Sequence, residues 1–259
     1  MKLTTTIALC LGVAQQALAF QGWIDSTIAH TGEPVGKEID YDGLTLYVSK
    51  AKHTKKKTAV IYLTDVFGIN LTANKLLADS FARADFFTIA PDLFDGEPAP
   101  EDLNAPGFNA TEFLLAHGPD VADPKIEATI AYAKEKCADC KIALTGYCYG
   151  GRFAFRFVAD GKGGDVAFAA HPSGLEDDEV LAITGPASVA AAEEDSITPA
   201  ERRRQIEDLL LETEQPYQMA LYSGTQHGFG VRANISDPEQ KFGKETAFVQ
   251  AVHWFNTWA

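Results

Sequence analysis

The chain has 259 residues, of which 46% are hydrophobic and 22% are charged, and its formal net charge is −14 at pH 7. This composition is typical of a globular protein, and the length fits one domain with a full hydrophobic core. The negative charge argues against nucleic acid and anionic membrane surfaces as partners, because both are bound through clustered cations.

The N-terminus has the three parts of a secretory signal peptide. It starts with a basic residue, Lys2, continues with an apolar stretch over residues 7–13, and ends with Ala-Leu-Ala at residues 17–19. That stretch is too short to span a membrane, and no later stretch is long and apolar enough to do so. We predict a signal peptide over residues 1–19 and a secreted protein that forms one domain over residues 20–259.

Three Asn-x-Ser/Thr sequons fit this secreted fate. They begin at Asn70, Asn109 and Asn234. Such tripeptides also occur by chance, so each asparagine is a candidate for N-glycosylation rather than an assigned site.

Strands and helices alternate along the chain. The pattern predicts strands over residues 44–49, 58–63, 86–90, 141–145, 166–170, 187–192 and 217–222, and helices over residues 72–84, 126–136, 150–159, 199–212 and 242–258. Alternation of this kind predicts an α/β fold with a doubly wound, mainly parallel sheet and helices on both faces. The proline-containing segment over residues 91–124 is expected to form part of the rim or lid of a cleft.

Three cysteines remain after Cys10 is removed with the signal peptide. In an oxidising compartment, Cys137 and Cys140 most simply form a local disulfide, which leaves Cys148 as a free thiol. A redox role for the pair is disfavoured, because the pair follows a predicted helix instead of opening one. Zinc would need two further ligands at suitable spacing. We therefore predict no metal and no cofactor.

Cys148 lies in the segment Gly-Tyr-Cys-Tyr-Gly-Gly at residues 146–151, between a predicted strand and a predicted helix. Gly-x-Cys-x-Gly is the thiol version of the nucleophile elbow, in which glycines leave room for a strained turn. Such a turn would aim the amide of Tyr149 at a developing oxyanion. The alternative is a buried structural cysteine in a glycine-rich turn.

An acid and a histidine follow Cys148 in the order expected for a hydrolase of this architecture. Asp195 and His227 each fall in a loop directly after a predicted strand, where open α/β sheets place their sites. His227 would be the general base, and Asp195 would orient its ring. Glu193 and Glu194 are rival acids in the same loop. A surface turn at His227 and a solvated acidic loop remain the plain alternatives.

These residues resemble the dienelactone hydrolase family of α/β-hydrolases, also called carboxymethylenebutenolidases, and most closely its fungal members. The resemblance covers about residues 41–254. It is carried by Asp-Val-Phe-Gly-Ile-Asn at residues 65–70, Ala-Pro-Asp-Leu-Phe at residues 90–94, Gly-Tyr-Cys-Tyr-Gly-Gly at residues 146–151, Asp195 with Pro199 shortly after it, and His-Gly-Phe at residues 227–229.

The resemblance implies an α/β-hydrolase fold in which Cys148 is the nucleophile, Asp195 the acid and His227 the base. It also implies an oxyanion hole formed by the backbone amides of Tyr149 and Val66.

Two positions depart from the family. Asp65 stands where the family commonly has a glutamate that contacts the resting thiol, and it is the candidate for thiol activation. After the Pro-Asp-Leu segment the chain is acidic where enzymes acting on dienelactone have an arginine, although Arg232 lies near the place of a second one. Arg232 and His171, which ends a strand, are the candidate substrate contacts. For His171 the structural alternative stays open.

The sequence predicts a secreted cysteine hydrolase of small esters or lactones that works through an acyl-thioester intermediate. Its partner would be a small-molecule substrate, and we expect a monomer or a weak homodimer. One alternative is a non-hydrolytic acyl rearrangement or lactonisation in secondary metabolism. Another is a secreted, non-catalytic binding protein on the same scaffold.

Overall fold

The computed structural model describes residues 16, 18–53 and 56–259. The predicted signal peptide therefore lies almost entirely outside the described residues. Residues 18–27 form helix α1, and the side chains of Ile24 and Ile28 are buried in the core that follows. The Ala29 amide donates to the Ser80 hydroxyl at 3.2 Å, which fixes the end of this segment.

Within the described part of the chain, eight strands form one sheet in the order β1-β2-β4-β3-β5-β6-β7-β8. The strands β1 and β2 are antiparallel to their neighbours, and β3 to β8 are parallel. Their bounds are β1 (Lys37–Tyr41), β2 (Leu44–Ser49), β3 (Thr58–Leu63), β4 (Phe87–Pro91), β5 (Lys141–Tyr147), β6 (Val166–Ala170), β7 (Ala187–Glu194) and β8 (Tyr217–Gln226).

The sheet is buried on both faces because its central strands are apolar at successive positions. All residues of β3 are buried. Ile61 and Leu63 face one core, and Val60 and Tyr62 face the other, as the alternation of side chains along a strand requires.

Helices cover both faces. The chain forms α2 (Thr72–Arg83), α3 (Ala110–Ala116), α4 (Pro119–Lys136), α5 (Tyr149–Arg156), α6 (Asp177–Leu181), α7 (Ala200–Glu212), α8 (Phe229–Arg232) and α9 (Pro238–Trp258). Side chains of α1, α2 and α9 fill one core, and side chains of α4, α5 and α7 fill the other. This arrangement confirms the predicted doubly wound class. None of the described helices is long and apolar enough to cross a membrane.

Several elements differ from the sequence-based prediction. Strand β1 was not predicted because it is a sheet edge with mostly exposed side chains. Helix α4 begins at Pro119 rather than at residue 126. Pro119 occupies the first turn, where its missing N–H costs nothing, and the helix continues through Pro124. The short helices α3, α6 and α8 are too brief to give a periodic signal.

Candidate active site

Cys148 lies in a strained turn between β5 and α5. Its φ of 53° and ψ of −115° are unfavourable for a residue with a side chain. The flanking glycines are sterically required, because a Cβ at Gly146 would lie 2.1 Å from the Gly150 carbonyl oxygen. A Cβ at Gly150 would lie 2.2 Å from the Leu63 carbonyl oxygen. The predicted strand-to-helix turn is therefore present, and only glycine fits on either side of it.

His227 is paired with Asp195. The Nδ1 atom of His227 lies 2.9 Å from Oδ2 and 3.0 Å from Oδ1 of Asp195. Asp195 Oδ1 also accepts from the Ile197 and Thr198 amides, each at 2.9 Å. These amides fix the carboxylate in the loop after β7.

The rival acids Glu193 and Glu194 do not bond to His227. Both are exposed. Glu193 accepts from the Gly224 amide at 2.9 Å, and Glu194 accepts from the Gln226 side chain at 3.3 Å. The structure thus brings His227 to Asp195 and leaves both glutamates at the surface.

The electrostatics of this pair favour a charged imidazolium. Burial lowers the pKa of His227, but the Asp195 carboxylate and the neighbouring Cys148 thiol outweigh it and raise the pKa to about 9. Burial raises the pKa of Asp195, but the hydrogen bond from His227 and the two loop amides leave it below its usual value. Nε2 of His227 is buried and has no hydrogen-bond partner among the described residues.

The thiol of Cys148 has a second neighbour that sequence reasoning missed. Its Sγ atom lies 3.6 Å from the hydroxyl of Ser173, and the Ser173 amide donates to the Cys148 carbonyl at 3.0 Å. Ser173 follows β6, so the sequence already indicated that it lies in a loop after a strand. The residue type did not indicate a function, since serine is common in loops.

Tyr149 and Val66, whose backbone amides are the predicted oxyanion hole, both line the cavity at the thiol. Tyr149 is the first residue of α5, where an N–H has no intrahelical acceptor. Across the described residues, neither amide donates a hydrogen bond. Both are therefore available to an oxygen atom of a bound molecule.

Asp65 and Arg232 bond to each other and not to the thiol. Asp65 is fully buried, and its Oδ2 lies 3.2 Å from Nε of Arg232. Its Oδ1 accepts from the Asn74 side chain at 2.9 Å and from the Phe67 amide at 3.2 Å. Burial raises the pKa of Asp65, although these donors oppose it. The expected contact between Asp65 and Cys148 is not among the hydrogen bonds of the described residues.

The guanidinium of Arg232, a candidate substrate contact, is already in contact with two other residues. Besides its bond to Asp65, its guanidinium lies over the Phe67 ring at 4.5 Å from the centroid. It does not line the cavity at Cys148.

His171 lies in the core and is not among the described residues that line the cavity at Cys148. It is buried, and its Nε2 accepts from the Gly230 amide at 3.2 Å. Its ring lies behind His227, with 5.0 Å between centroids. Burial and the charges of His227 and Arg232 hold its pKa well below 6.5, so the ring is neutral. These contacts fit the structural alternative that the sequence left open.

A cavity of about 240 Å³ opens beside Cys148. Its wall is mainly apolar and comes largely from α3 and the segment before it, so residues 91–124 do form part of the rim. The apolar lining side chains include Val66, Leu103, Phe108, Phe113, Leu114 and Ile197.

The model of the dienelactone hydrolase family matches residues 44–259. The chain belongs to this family. Two proteins that are similar to this dienelactone hydrolase family member are also named hydrolases. Hydrolase pyvD of Aspergillus violaceofuscus is 37% identical over 227 residues, which cover 88% of this chain and 92% of the relative. Hydrolase tropI of Talaromyces stipitatus is 36% identical over 250 residues, which cover 93% and 95%.

Solved structures show the same fold. A dienelactone hydrolase from Anabaena variabilis superposes with a TM-score of 0.62 at 12% identity, and the match covers 88% of this chain and 99% of that one. The predicted α/β-hydrolase fold is thereby confirmed. Family membership makes the protein a hydrolase of esters or lactones.

The remaining candidate residues of this family member lie outside the cavity wall. Cys137 and Cys140 form a disulfide before β5, at the opposite end of that strand from Cys148. The sequon asparagines Asn70, Asn109 and Asn234 are all exposed, and Asn109 caps α3 through its side chain. Among the described residues, no group of three or more His, Cys, Asp or Glu side chains is arranged to hold a metal ion.

Proposed function

We propose that the protein is a secreted cysteine hydrolase that cleaves small esters or lactones, with Cys148 as nucleophile and His227 and Asp195 as its partners. One observation carries the proposal. The Cys148 thiol lies in a strained turn and borders an apolar cavity. Next to this thiol lies His227, which is bonded to the buried carboxylate of Asp195. A structural cysteine would need neither the strained backbone nor the charged pair.

The first half of the reaction forms a thioester. Nε2 of His227 takes the proton of Cys148, and the thiolate attacks the substrate carbonyl carbon. The amides of Tyr149 and Val66 donate to the resulting oxyanion. When the intermediate collapses, His227 returns the proton to the departing alcohol. In a lactone that alcohol stays tethered to the acyl group.

The second half releases the acid. His227 removes a proton from water, the hydroxide attacks the thioester, and the Cys148 thiol is re-formed with that proton. Asp195 keeps the proton on Nδ1 of His227 and stabilises the imidazolium in both halves. Each proton that moves in the cycle is thus taken up and returned by His227.

Secretion is supported by the predicted signal peptide, the disulfide and the exposed sequons. Expression of the full chain in a secreting host tests it. Mature protein in the medium should begin at Phe20 or a neighbouring residue. A mass loss on enzymatic deglycosylation, followed by Asn→Gln substitution at each sequon, would assign Asn70, Asn109 or Asn234. Retention of an uncleaved chain inside the cell would contradict secretion.

The catalytic proposal is tested with p-nitrophenyl acetate and a panel of enol lactones. We expect the native protein to turn over at least one of them and Cys148→Ala to lose at least about 10³-fold in kcat/KM. A matched control is Cys137→Ala/Cys140→Ala, which removes cysteines remote from the cavity and should keep the activity. Activity that survives in Cys148→Ala contradicts the mechanism.

Product analysis separates the alternatives. Hydrolysis releases a free acid that carries oxygen from ¹⁸O-labelled water. A rearranged or lactonised product without the label would instead indicate a non-hydrolytic acyl reaction. Binding of the lactones without any conversion would indicate a binding protein.

A further inference from the structure

Arg152 is the only lysine or arginine among the described residues that line the cavity at Cys148. It lies four positions after Cys148, and residues at this spacing share one face of a helix. A free guanidinium at this place would bind a substrate carboxylate through paired hydrogen bonds. Whether Arg152 is free therefore decides which acyl groups the cavity favours.

The guanidinium of Arg152 is already occupied by Glu179. Its Nε lies 2.8 Å and 2.9 Å from the two carboxylate oxygens, and its Nη2 lies 2.7 Å from Oε1. The Glu179 side chain is only 5% exposed. It also caps α6 by accepting from the Glu176 amide at 3.0 Å, so the fold itself holds the carboxylate in place.

Glu179 belongs to a row of alternating charges in which every cation is paired. Arg156 bonds to Glu179 at 2.8 Å and to Asp123 at 2.7 Å. Lys162 bonds to Asp123 at 3.0 Å and lies 3.6 Å from Glu127. Three cations thus face three carboxylates, and the row offers the cavity no net positive charge.

His117, the histidine among the described residues that line the cavity, is hydrogen-bonded through one ring nitrogen. Its Nδ1 donates to the Phe113 carbonyl at 2.8 Å, and its ring packs against the rings of Phe113 and Phe94. Its own carbonyl accepts from the Tyr149 hydroxyl at 2.7 Å. The wall therefore presents mainly carbon to the acyl group.

We infer that the acyl site selects uncharged, apolar acyl groups and rejects those that carry a carboxylate, and that Glu179 sets this selectivity by occupying Arg152. The inference rests on the proposed function, because it takes the cavity to be the acyl site. A carboxylate entering the cavity would lose its hydration and find no unpaired lysine or arginine among the described lining residues, whereas an alkyl or aryl group loses no hydrogen bonds.

Two esters of equal shape test the selectivity. Mono-p-nitrophenyl glutarate carries a carboxylate where p-nitrophenyl 5-methylhexanoate carries an isopropyl group. For the native protein we expect kcat/KM to be at least about 30-fold higher for the neutral ester, as expected for a carboxylate buried without a partner. A neutral-to-anionic ratio of kcat/KM within about threefold of unity would overturn the inference, because such a difference is too small for this burial penalty.

Glu179→Gln tests the role of the carboxylate. Freed from its partner, Arg152 should bind the glutarate carboxylate, and the neutral-to-anionic ratio should fall by about tenfold or more, as one charge-assisted hydrogen bond allows. Adding Arg152→Met to this variant should restore the high ratio. Asp123→Asn is the matched control, because it removes a carboxylate from the same row next to Arg156, which does not line the cavity.

A ratio that stays unchanged in Glu179→Gln would show that Glu179 does not set the selectivity. If that variant does not fold, Glu179→Asp takes its place. The shorter aspartate side chain cannot hold both arginines, so the ratio should fall by an intermediate amount. An unchanged ratio in Glu179→Asp would likewise overturn the role of Glu179.

Failure of the proposed function is a separate result, because turnover then persists in Cys148→Ala or is absent for every ester. In that case calorimetric titration of the native protein with 5-methylhexanamide and with glutaramate makes the same comparison by affinity. Tighter binding of glutaramate would overturn the inference.

Discussion

The Cys148 thiol lies 3.6 Å from the Ser173 hydroxyl, and the backbone of Ser173 is bonded to the backbone of the same cysteine. The loop that carries Ser173 is also tied to the acid loop, because the Thr198 hydroxyl donates to the Pro172 carbonyl and the Thr198 amide donates to Asp195. Nucleophile, hydroxyl and acid are therefore held in one hydrogen-bonded unit.

Ser173→Ala should make the thiol less reactive. The hydroxyl can donate to the thiolate, and loss of one such hydrogen bond should raise the midpoint of the pH–rate profile for alkylation by iodoacetamide by up to about one pH unit. Ser173→Thr keeps a hydroxyl and should restore most of the native profile. Identical profiles in the native protein and in Ser173→Ala would show that the hydroxyl does not act on the thiolate.

Asp195→Asn should change how stability depends on pH. The folded-state pKa of His227 is raised from 6.5 to about 9, so its stabilising contribution is complete below pH 6.5 and is lost as the pH rises through 9. The pKa of Asp195 is lowered in the folded state, so its contribution to stability is present at neutral pH and is lost only in acid.

The difference in free energy of unfolding between the native protein and Asp195→Asn should therefore fall between pH 6 and pH 9.5 by at most about 3 kcal/mol. Urea unfolding at both values measures it. Asp208→Asn, at an exposed position of α7, is the control and should show no such trend. An equal difference at both pH values would contradict the ion pair.

Gly146→Ala and Gly150→Ala should each destabilise the fold by at least about 3 kcal/mol and abolish activity, because the new methyl group meets backbone atoms that cannot move independently. Thermal unfolding and ester turnover measure both effects. Gly22→Ala is the matched control, since nothing lies within 4 Å of a Cβ at that exposed position of α1. Tolerance of alanine at residue 146 or 150 would mean that the turn is not constrained as described.

Removal of the disulfide should affect stability and not catalysis. Cys137 and Cys140 close a loop with a sequence separation of 3, for which chain entropy predicts a loss of about 2 kcal/mol. Cys137→Ala/Cys140→Ala should lose this stability in urea while kcat/KM stays within about twofold of native, as for a change remote from the site. Thiol titration of the unfolded mature native protein should give one free thiol, and three would contradict the pairing.

Several features of this protein were determined by the sequence alone, because the interactions that produce them are local. The Gly-x-Cys-x-Gly segment predicts its own turn, since the clashes that exclude side chains at residues 146 and 150 arise wherever a chain turns so tightly from strand to helix. Alternating apolar strands and amphipathic helices likewise predicted the sheet with helices on both faces. The order of Cys148, Asp195 and His227 indicated a hydrolase before any contact was known.

Other features were decided only by the tertiary structure, because they depend on pairings between distant segments. The sequence favours Asp195 but leaves Glu193 and Glu194 as rival acids, and only the path of the loop after β7 turns Asp195 towards His227. Asp65 meets Arg232 across 167 positions. Ser173 reaches the thiol, and Glu179 occupies Arg152, only after β5 and β6 align side by side. The residue types determine charge and hydrogen-bonding capacity, but sheet order and register determine which partner each side chain contacts.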